Sequence, residues 1–174
     1  MSPAAIRLRR VEAADVEILE AEYASADVAG DLAWFGFSDA GRVRKRVESG
    51  ETLRRDQGML AIVDDEDTVV GAVTWIKVFH GPPPNGDCWN MGIWVAPEHR
   101  GKGYGAESQR LAAEYLFQHT LYERVEASTE TGNIPEQRAL ERAGFTREGV
   151  IRRGCFRGGE WRDMVLYSKV RGEQ

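Results

Sequence analysis

Apolar residues recur along this chain in two rhythms, and each change of rhythm marks a new element. Ile6 to Arg10 alternates and predicts a first strand, and Ala13 to Tyr23 carries Val16, Leu19 and Tyr23 at helical spacing. Arg42 to about Arg55 predicts a second helix, weakened in its middle by Gly50. Gly58 to Val63 and Val69 to Phe79 are strand-like runs flanking Asp64-Asp65-Glu66-Asp67, so that acidic cluster reads as a hairpin turn that needs no metal. His80 to Asp87 contains Pro82, Pro83 and Pro84 and has to be a loop, because proline withholds the donors a strand requires. Cys88 to Val95 is the next strand. Tyr104 to His119 is a helix with Tyr104, Ser108, Leu111, Ala112 and Tyr115 on one face. A strand from Arg124 to Thr129 follows, then a helix opened by Asn133 and closed at Ala143-Gly144-Phe145. A last pair of strands surrounds Gly158-Gly159 and ends on Asp163 to Tyr167. No repeat, linker or low-complexity tract interrupts the order, so residues 1–174 are expected to form one domain.

Composition narrows the class without naming the chemistry. The 174 residues, 42% hydrophobic and 29% charged, suit one α/β domain with a buried core. A net charge of −5 argues against nonspecific nucleic-acid binding. The basic run Arg42-Val43-Arg44-Lys45-Arg46 places Val43 and Val47 at helical spacing and reads as a solvated helix face. No apolar run approaches the roughly 18 residues of a membrane span. Met1 to Arg7 lacks a signal-peptide core, so no membrane partner and a cytoplasmic location are expected. Cys88 and Cys155 lack partner cysteines at metal spacing, and His80, His99 and His119 look too scattered to form a ligand cluster, so no metal is expected.

The chemistry concentrates in Val95-Ala96-Pro97-Glu98-His99-Arg100-Gly101-Lys102-Gly103-Tyr104-Gly105-Ala106. Here a strand passes into a helix through a turn holding three glycines in five residues. Glycine lets backbone amides approach a ligand closely, and the first amides of a helix lack intrahelical partners at the positive end of its dipole. Together they suit a pyrophosphate. A Walker loop would need Ser or Thr after Lys102, and a dinucleotide fingerprint would need Gly-x-Gly-x-x-Gly; neither is present. The plain alternative is a glycine-rich turn before an ordinary helix.

Arg100-x-x-Gly103-x-Gly105, preceded by a strand and Ala-Pro-Glu-His, resembles the acetyl-CoA loop of the GNAT superfamily of N-acyltransferases. The order of the later segments is similar to the ribosomal-protein N-terminal acetyltransferase-like (RimJ/RimL-type) branch. The likeness is close from Asn90 onward and a matter of layout before it. It implies an α/β (α+β) fold, with a mixed, mostly antiparallel sheet of about seven strands and about four flanking helices. It also implies a V-shaped splay between the fourth and fifth strands. The implied activity is acetyl transfer from acetyl-CoA to a primary amine, on a small molecule or a peptide N-terminus, by direct attack in a ternary complex. The resemblance also admits a homodimer.

By the same resemblance, the amides from Gly101 through Lys102, Gly103, Tyr104 and Gly105 to Ala106 hold the pyrophosphate. The backbone of Ile93, Trp94 and Val95 pairs with the pantetheine arm as a missing strand would. Arg100 and Lys102 either add charge there or are exposed loop residues. Asn133 matches the family's cofactor-binding asparagine and is also a good N-cap before Pro135, two compatible roles. Arg138 and Arg142 read as solvated. Trp34, Phe35 and Phe37 either line an acceptor pocket or belong to the core.

The proton-handling residues depart from the family. Leu140 stands where many members have tyrosine, Glu136 where the branch has serine, and Asn90 where it often has glutamate. Glu136 is therefore the candidate catalytic residue, either as a base for the ammonium or as a proton source for the thiolate, with dipole stabilisation as its structural alternative. Neither cysteine has an evident histidine partner, which disfavours a covalent acetyl intermediate. The missing side chains leave a second reading, a non-catalytic CoA-binding or regulatory protein on the same fold.

Overall fold

The computed structural model describes residues 5–39, 41–82 and 85–173. Their order is β1 (Ile6–Arg10), α1 (Val16–Ala24), α2 (Ala26–Ala29), α3 (Arg42–Glu48), β2 (Gln57–Asp64), β3 (Val69–Phe79), β4 (Asp87–Val95), α4 (Tyr104–His119), β5 (Arg124–Glu130), α5 (Ile134–Arg142), β6 (Thr146–Arg157) and β7 (Glu160–Val170). The seven strands form one sheet ordered β1-β2-β3-β4-β5-β7-β6. All neighbours are antiparallel except β4 and β5.

Alternation along the strands divides the core between the two faces of the sheet. On β2, Leu60 and Ile62 join Trp89, Met91, Leu116, Leu140 and Tyr167 on the face covered by α4 and α5. Met59, Ala61 and Val63 join Val16, Leu19, Val43 and Trp94 under α1 and α3. Ile62, Leu116, Leu140 and Tyr167 are almost completely buried. Each such side chain stabilises the fold by roughly 1.5–3 kcal/mol relative to an exposed one. The second face is apolar only as far as β4. Beyond it, β5 presents Glu126, Ser128 and Glu130, with Ser168 of β7 opposite Glu126, and these form a narrow polar floor along β5.

Several details differ from the sequence expectation. α3 stops at Glu48, because Gly50 takes φ +71° and Thr52 O then accepts from Met59 N–H at 2.8 Å, tying the chain to β2. The single turn α2 escapes periodicity at four residues; Ser25 caps it by accepting from Asp27 N–H at 3.2 Å. The buried seam of α4 is Ser108, Gln109, Ala112, Ala113 and Leu116, so it includes a glutamine and leaves Leu111 half-buried. The acidic turn does close the β2–β3 hairpin, with Asp67 at φ 64° and bonded to Arg7 and Arg9. No helix among the described residues is long and apolar enough to cross a membrane.

Candidate active site

Two features open a groove along β4. The first is the parallel junction, where β4 and β5 share register only at Trp89↔Val125 and Asn90↔Glu126. Beyond those pairs the strands part, while β3 stays on β4 from Asp87 to Val95 and β7 stays on β5 from Arg124 to Glu130. The two facing edges therefore have no strand partner among the described residues.

The direction of each peptide along those edges follows from the register. Ala96 N–H donates to Val70 O on β3 at 2.9 Å, and alternation turns the backbone of Trp94 the same way. Ile93 and Val95 then face the gap. On β5, Thr131 N–H donates to Asp163 O at 3.0 Å, which by the same alternation leaves Ser128 and Glu130 facing the gap from the other side. Trp94 thus does not offer its main chain to the groove as expected. Its indole is buried under α1, with Nε1 unpartnered among the described residues.

The second feature is the glycine loop at the groove's open end. Gly101 and Gly103 adopt φ of +77° and +86°, a region costly for residues bearing a Cβ, and open space surrounds both. Gly103 is the N-cap of α4 and supplies no side chain to its first turn. The first helical bond runs from Glu107 N–H to Gly103 O at 3.2 Å. The amides of Gly101, Lys102, Gly103, Tyr104, Gly105 and Ala106 therefore have no acceptor among the described residues, and they converge at the positive end of a 16-residue helix. Lys102 is exposed, its ammonium 5.9 Å from the Tyr104 ring centroid.

Arg100 is engaged elsewhere. Its Nε donates to Val95 O at 2.9 Å, and Nη2 donates to Ala29 O at 3.1 Å and Val28 O at 3.3 Å. The guanidinium ties the loop to α2 instead of standing free for a phosphate.

Asn133 caps α5, its Oδ1 accepting from Glu136 N–H at 3.3 Å while Nδ2 donates to Thr129 Oγ1 at 2.9 Å. One turn on, Glu136 Oε1 accepts from Gln109 Nε2 on α4 at 2.9 Å. Burial pushes the Glu136 carboxyl up to about 7, and the bond from Gln109 opposes that rise. Gln109 is 1% exposed, and its Oε1 has no partner among the described residues. A protonated Glu136 would have an O–H to offer it.

On the opposite face, Asp31, Trp34, Phe35, Phe156 and Gly158–Gly159 line a cavity of about 500 Å³. Phe37 packs edge-on against Trp34 at 5.2 Å, 89% exposed, so this aromatic cluster is not core. Arg157 crosses from the β6–β7 hairpin to Asp31 O and Glu130, donating to Glu130 Oε2 through Nη2 at 2.8 Å.

The structure also corrects the reading of the histidines and cysteines. His80, Cys88 and Glu126 bring ligating atoms within 4.8 Å of one another, although 46 positions separate His80 from Glu126. The register Asn90↔Glu126 creates that meeting, and no local spacing reveals it. The available signal was Glu126 and Glu130 alternating with Val125, Ala127 and Thr129, which marks carboxylates built into a strand. Burial pushes the Cys88 thiol up to about 11 and also raises Cys155, so both remain thiols near neutrality.

Known proteins share this sequence pattern and this fold. Residues 5–146 match the family described as Acetyltransferase (GNAT) domain. Probable N-acetyltransferase YjcK of Bacillus subtilis (strain 168) is 31% identical over 125 residues, which span 69% of this chain and 66% of that relative. Mycobacterium smegmatis RimJ, solved in complex with CoA-disulfide, superposes with a TM-score of 0.76 at 21% identity, covering 98% of this chain and 85% of that one. Spermidine N-acetyltransferase from Vibrio cholerae, solved with CoA and spermine, does so at 0.73 and 18% identity, covering 97% and 96%. With residues 5–146 matched and the seven-stranded, splayed sheet in place, the chain belongs to the GNAT family of acetyltransferases.

Proposed function

We propose that this protein transfers an acetyl group from acetyl-CoA to a primary amine, by direct attack in a ternary complex. The observation that carries the reading is the run of six unpartnered amides, Gly101 to Ala106, at the mouth of a gap edged by Ile93 and Val95. Those amides suit a pyrophosphate, and the free strand edge suits an extended arm bearing amides. When bound, acetyl-CoA supplies a thioester-activated acetyl group. The loop orients it.

Direct attack fits the cysteines, since both thiols are held above their ordinary values and offer little thiolate. Glu136 is the proton carrier on the cofactor side. A carboxyl poised near 7 can both hold and release a proton at the working pH. The acceptor enters from the opposite face, through the cavity walled by Trp34, Phe35 and Phe156, where aromatic rings favour a cationic amine and the lining Arg157 is paired with Glu130. A peptide N-terminus and a small alkylamine share that chemistry. The non-catalytic alternative gains no support from relatives named as acetyltransferases.

Free thiol released from acetyl-CoA against a panel of peptides, amino acids and polyamines tests the reading. Release with at least one amine is expected, together with a stabilisation of about 2.7 kcal/mol at a hundredfold excess of acetyl-CoA over Kd. The absence of any thermal shift at millimolar acetyl-CoA would refute the cofactor assignment.

A further inference from the structure

The closed end of the groove carries a polar cluster with a different organisation from the loop. His80 Nε2 lies 2.8 Å from Glu126 Oε2, and the two side chains are 52% and 6% exposed. The histidine backbone is fixed, His80 N–H donating to Gly86 O at 2.9 Å. Two more side chains hold the carboxylate. Asn90 Nδ2 lies 3.4 Å from Oε1, and Arg124 reaches Oε2 through Nη2 at 3.1 Å and Nε at 3.3 Å. Arg124 also bridges to Glu148 on β6. The charged and titratable groups facing the imidazole are therefore Glu126 and Arg124 from β5, Cys88 from β4 and Glu148 from β6.

A buried carboxylate on one nitrogen of an exposed imidazole fixes the tautomer. Nε2 keeps its proton for Glu126, and Nδ1, without a partner among the described residues, is left as an acceptor. We propose that His80 is the base that takes the proton from the acceptor ammonium, with Glu126 and Arg124 as its positioning residues. The proposal rests on the acetyltransferase reading and names the other half of its proton path.

Position supports it. Asn90↔Glu126 is the last pair before β4 and β5 part. Five residues separate Val95 from Asn90, so at about 3.3 Å each the closed end stands roughly 17 Å from Val95, where β4 passes toward the loop. An arm anchored at the loop and laid along β4 runs toward it. Glu126 also lies on the polar floor, the face from which the acceptor enters.

The protons balance. The ammonium gives one to His80 Nδ1, and its freed lone pair forms the C–N bond as the thioester C–S bond breaks. The second proton leaves the nitrogen and reaches the departing thiolate by way of Glu136, and His80 returns the first to water. The sum is an amide, a thiol and one released proton. The same three ligating atoms could suggest a cation site, but Arg124 already places a positive charge on the carboxylate such a cation would need.

The test compares wild type with His80→Gln, Glu126→Gln and Cys88→Ser, using an amine the wild type accepts. His80→Gln should lower kcat/KM at pH 7 by about 10²–10⁴-fold. The loss should shrink as pH rises toward about 10, where the amine deprotonates unaided. The acetyl-CoA Kd, measured by calorimetry, should stay unchanged, and Cys88→Ser should leave the rate within about twofold. Independently of turnover, NMR of the imidazole nitrogens should show a protonated Nε2 in the wild type, and Glu126→Gln should release that fixed tautomer. Wild-type turnover with His80→Gln retaining more than half the rate at pH 7 would overturn this proposal alone. Absence of wild-type turnover with every amine would overturn it together with the acetyltransferase reading. Stoichiometric zinc in the purified wild type, lost in His80→Gln, would replace it with a metal site.

Discussion

Glu136→Gln should make the protein more stable at pH 8 while slowing it. The Glu136 carboxylate meets only one donor, Gln109 Nε2 at 2.9 Å, and Gln109 Oε1 is buried without a partner among the described residues. Ionisation thus leaves two acceptors and a single N–H between them. A glutamine at 136 keeps the shape, accepts the existing bond and carries an N–H for Gln109 Oε1. The magnitude follows from linkage. Burial raises the carboxyl from 4.5 to about 7. Between those values the folded state keeps a proton the unfolded chain has lost, so stability falls as pH rises across that window and levels off above about 7. At about 1.4 kcal/mol per tenfold change in proton affinity, the full cost is about 3 kcal/mol. Partial solvent access at Glu136 reduces the expected gain to about 1–3 kcal/mol at pH 8, and to less than about 1 kcal/mol at pH 5.

Urea unfolding of both proteins at pH 5 and pH 8 measures the difference directly, and in a chain of this size each kcal/mol moves Tm by about 2–4 °C. An equal stability difference at the two pH values would refute the assigned environment. Turnover should fall by about 10²–10⁴-fold at pH 7 if the carboxyl relays a proton. A stabilised variant with more than half the wild-type rate would leave Glu136 a structural residue.

Three further outcomes follow from the groove. Gly103→Val should weaken acetyl-CoA binding by calorimetry more than Lys102→Ala does, because φ +86° excludes a branched side chain while the exposed lysine contributes only a screened charge. Equal losses would mean that charge, not backbone, holds the phosphates. Arg100→Ala should cost about 1–3 kcal/mol in urea unfolding, with reduced protection of the α2 amides in hydrogen exchange, since it frees the carbonyls of Val28 and Ala29. Arg157→Ala should raise the acceptor KM with little change in acetyl-CoA Kd. Its stability loss should be full above pH 4.5 and fade as pH falls, because Arg157 lowers the Glu130 carboxyl and protonation removes the stranded charge.

What could be read from the chain was whatever repeats locally. β2 and β3 were legible because their apolar runs flank an acidic turn, and α4 because helical spacing from Tyr104 to His119 follows a glycine-rich turn. The same logic failed where tertiary partners decide. Gln109 lies outside the set Tyr104, Ser108, Leu111, Ala112 and Tyr115 that helical spacing picks out, and only α5 places Glu136 against it. Arg100 looked like a phosphate ligand because its carbonyl partners lie 71 and 72 positions away. His80 and Glu126 meet through the one parallel step in an otherwise antiparallel sheet. Fold patterns are periodic and visible in sequence, whereas proton-handling groups are set by burial and register, which depend on the finished packing.

The groove itself depends on that packing, since two unpaired strand edges standing open lose hydrogen bonds that closure would form. Two arginines hold the arms apart. Arg100 takes Val95 O at the end of β4, removing the carbonyl that a closing β5 would use. Arg157 takes the Glu130 carboxylate at the end of β5. Both reach the same short segment, Arg100 at the carbonyls of Val28 and Ala29 and Arg157 at that of Asp31. Residues 28–31, the end of α2 and the turn after it, are thus a common anchor for both arms of the V, and Asp31 also lines the aromatic cavity. An acceptor that shifts Asp31 or Trp34 would therefore act on the width of the cofactor groove as well as on its own pocket.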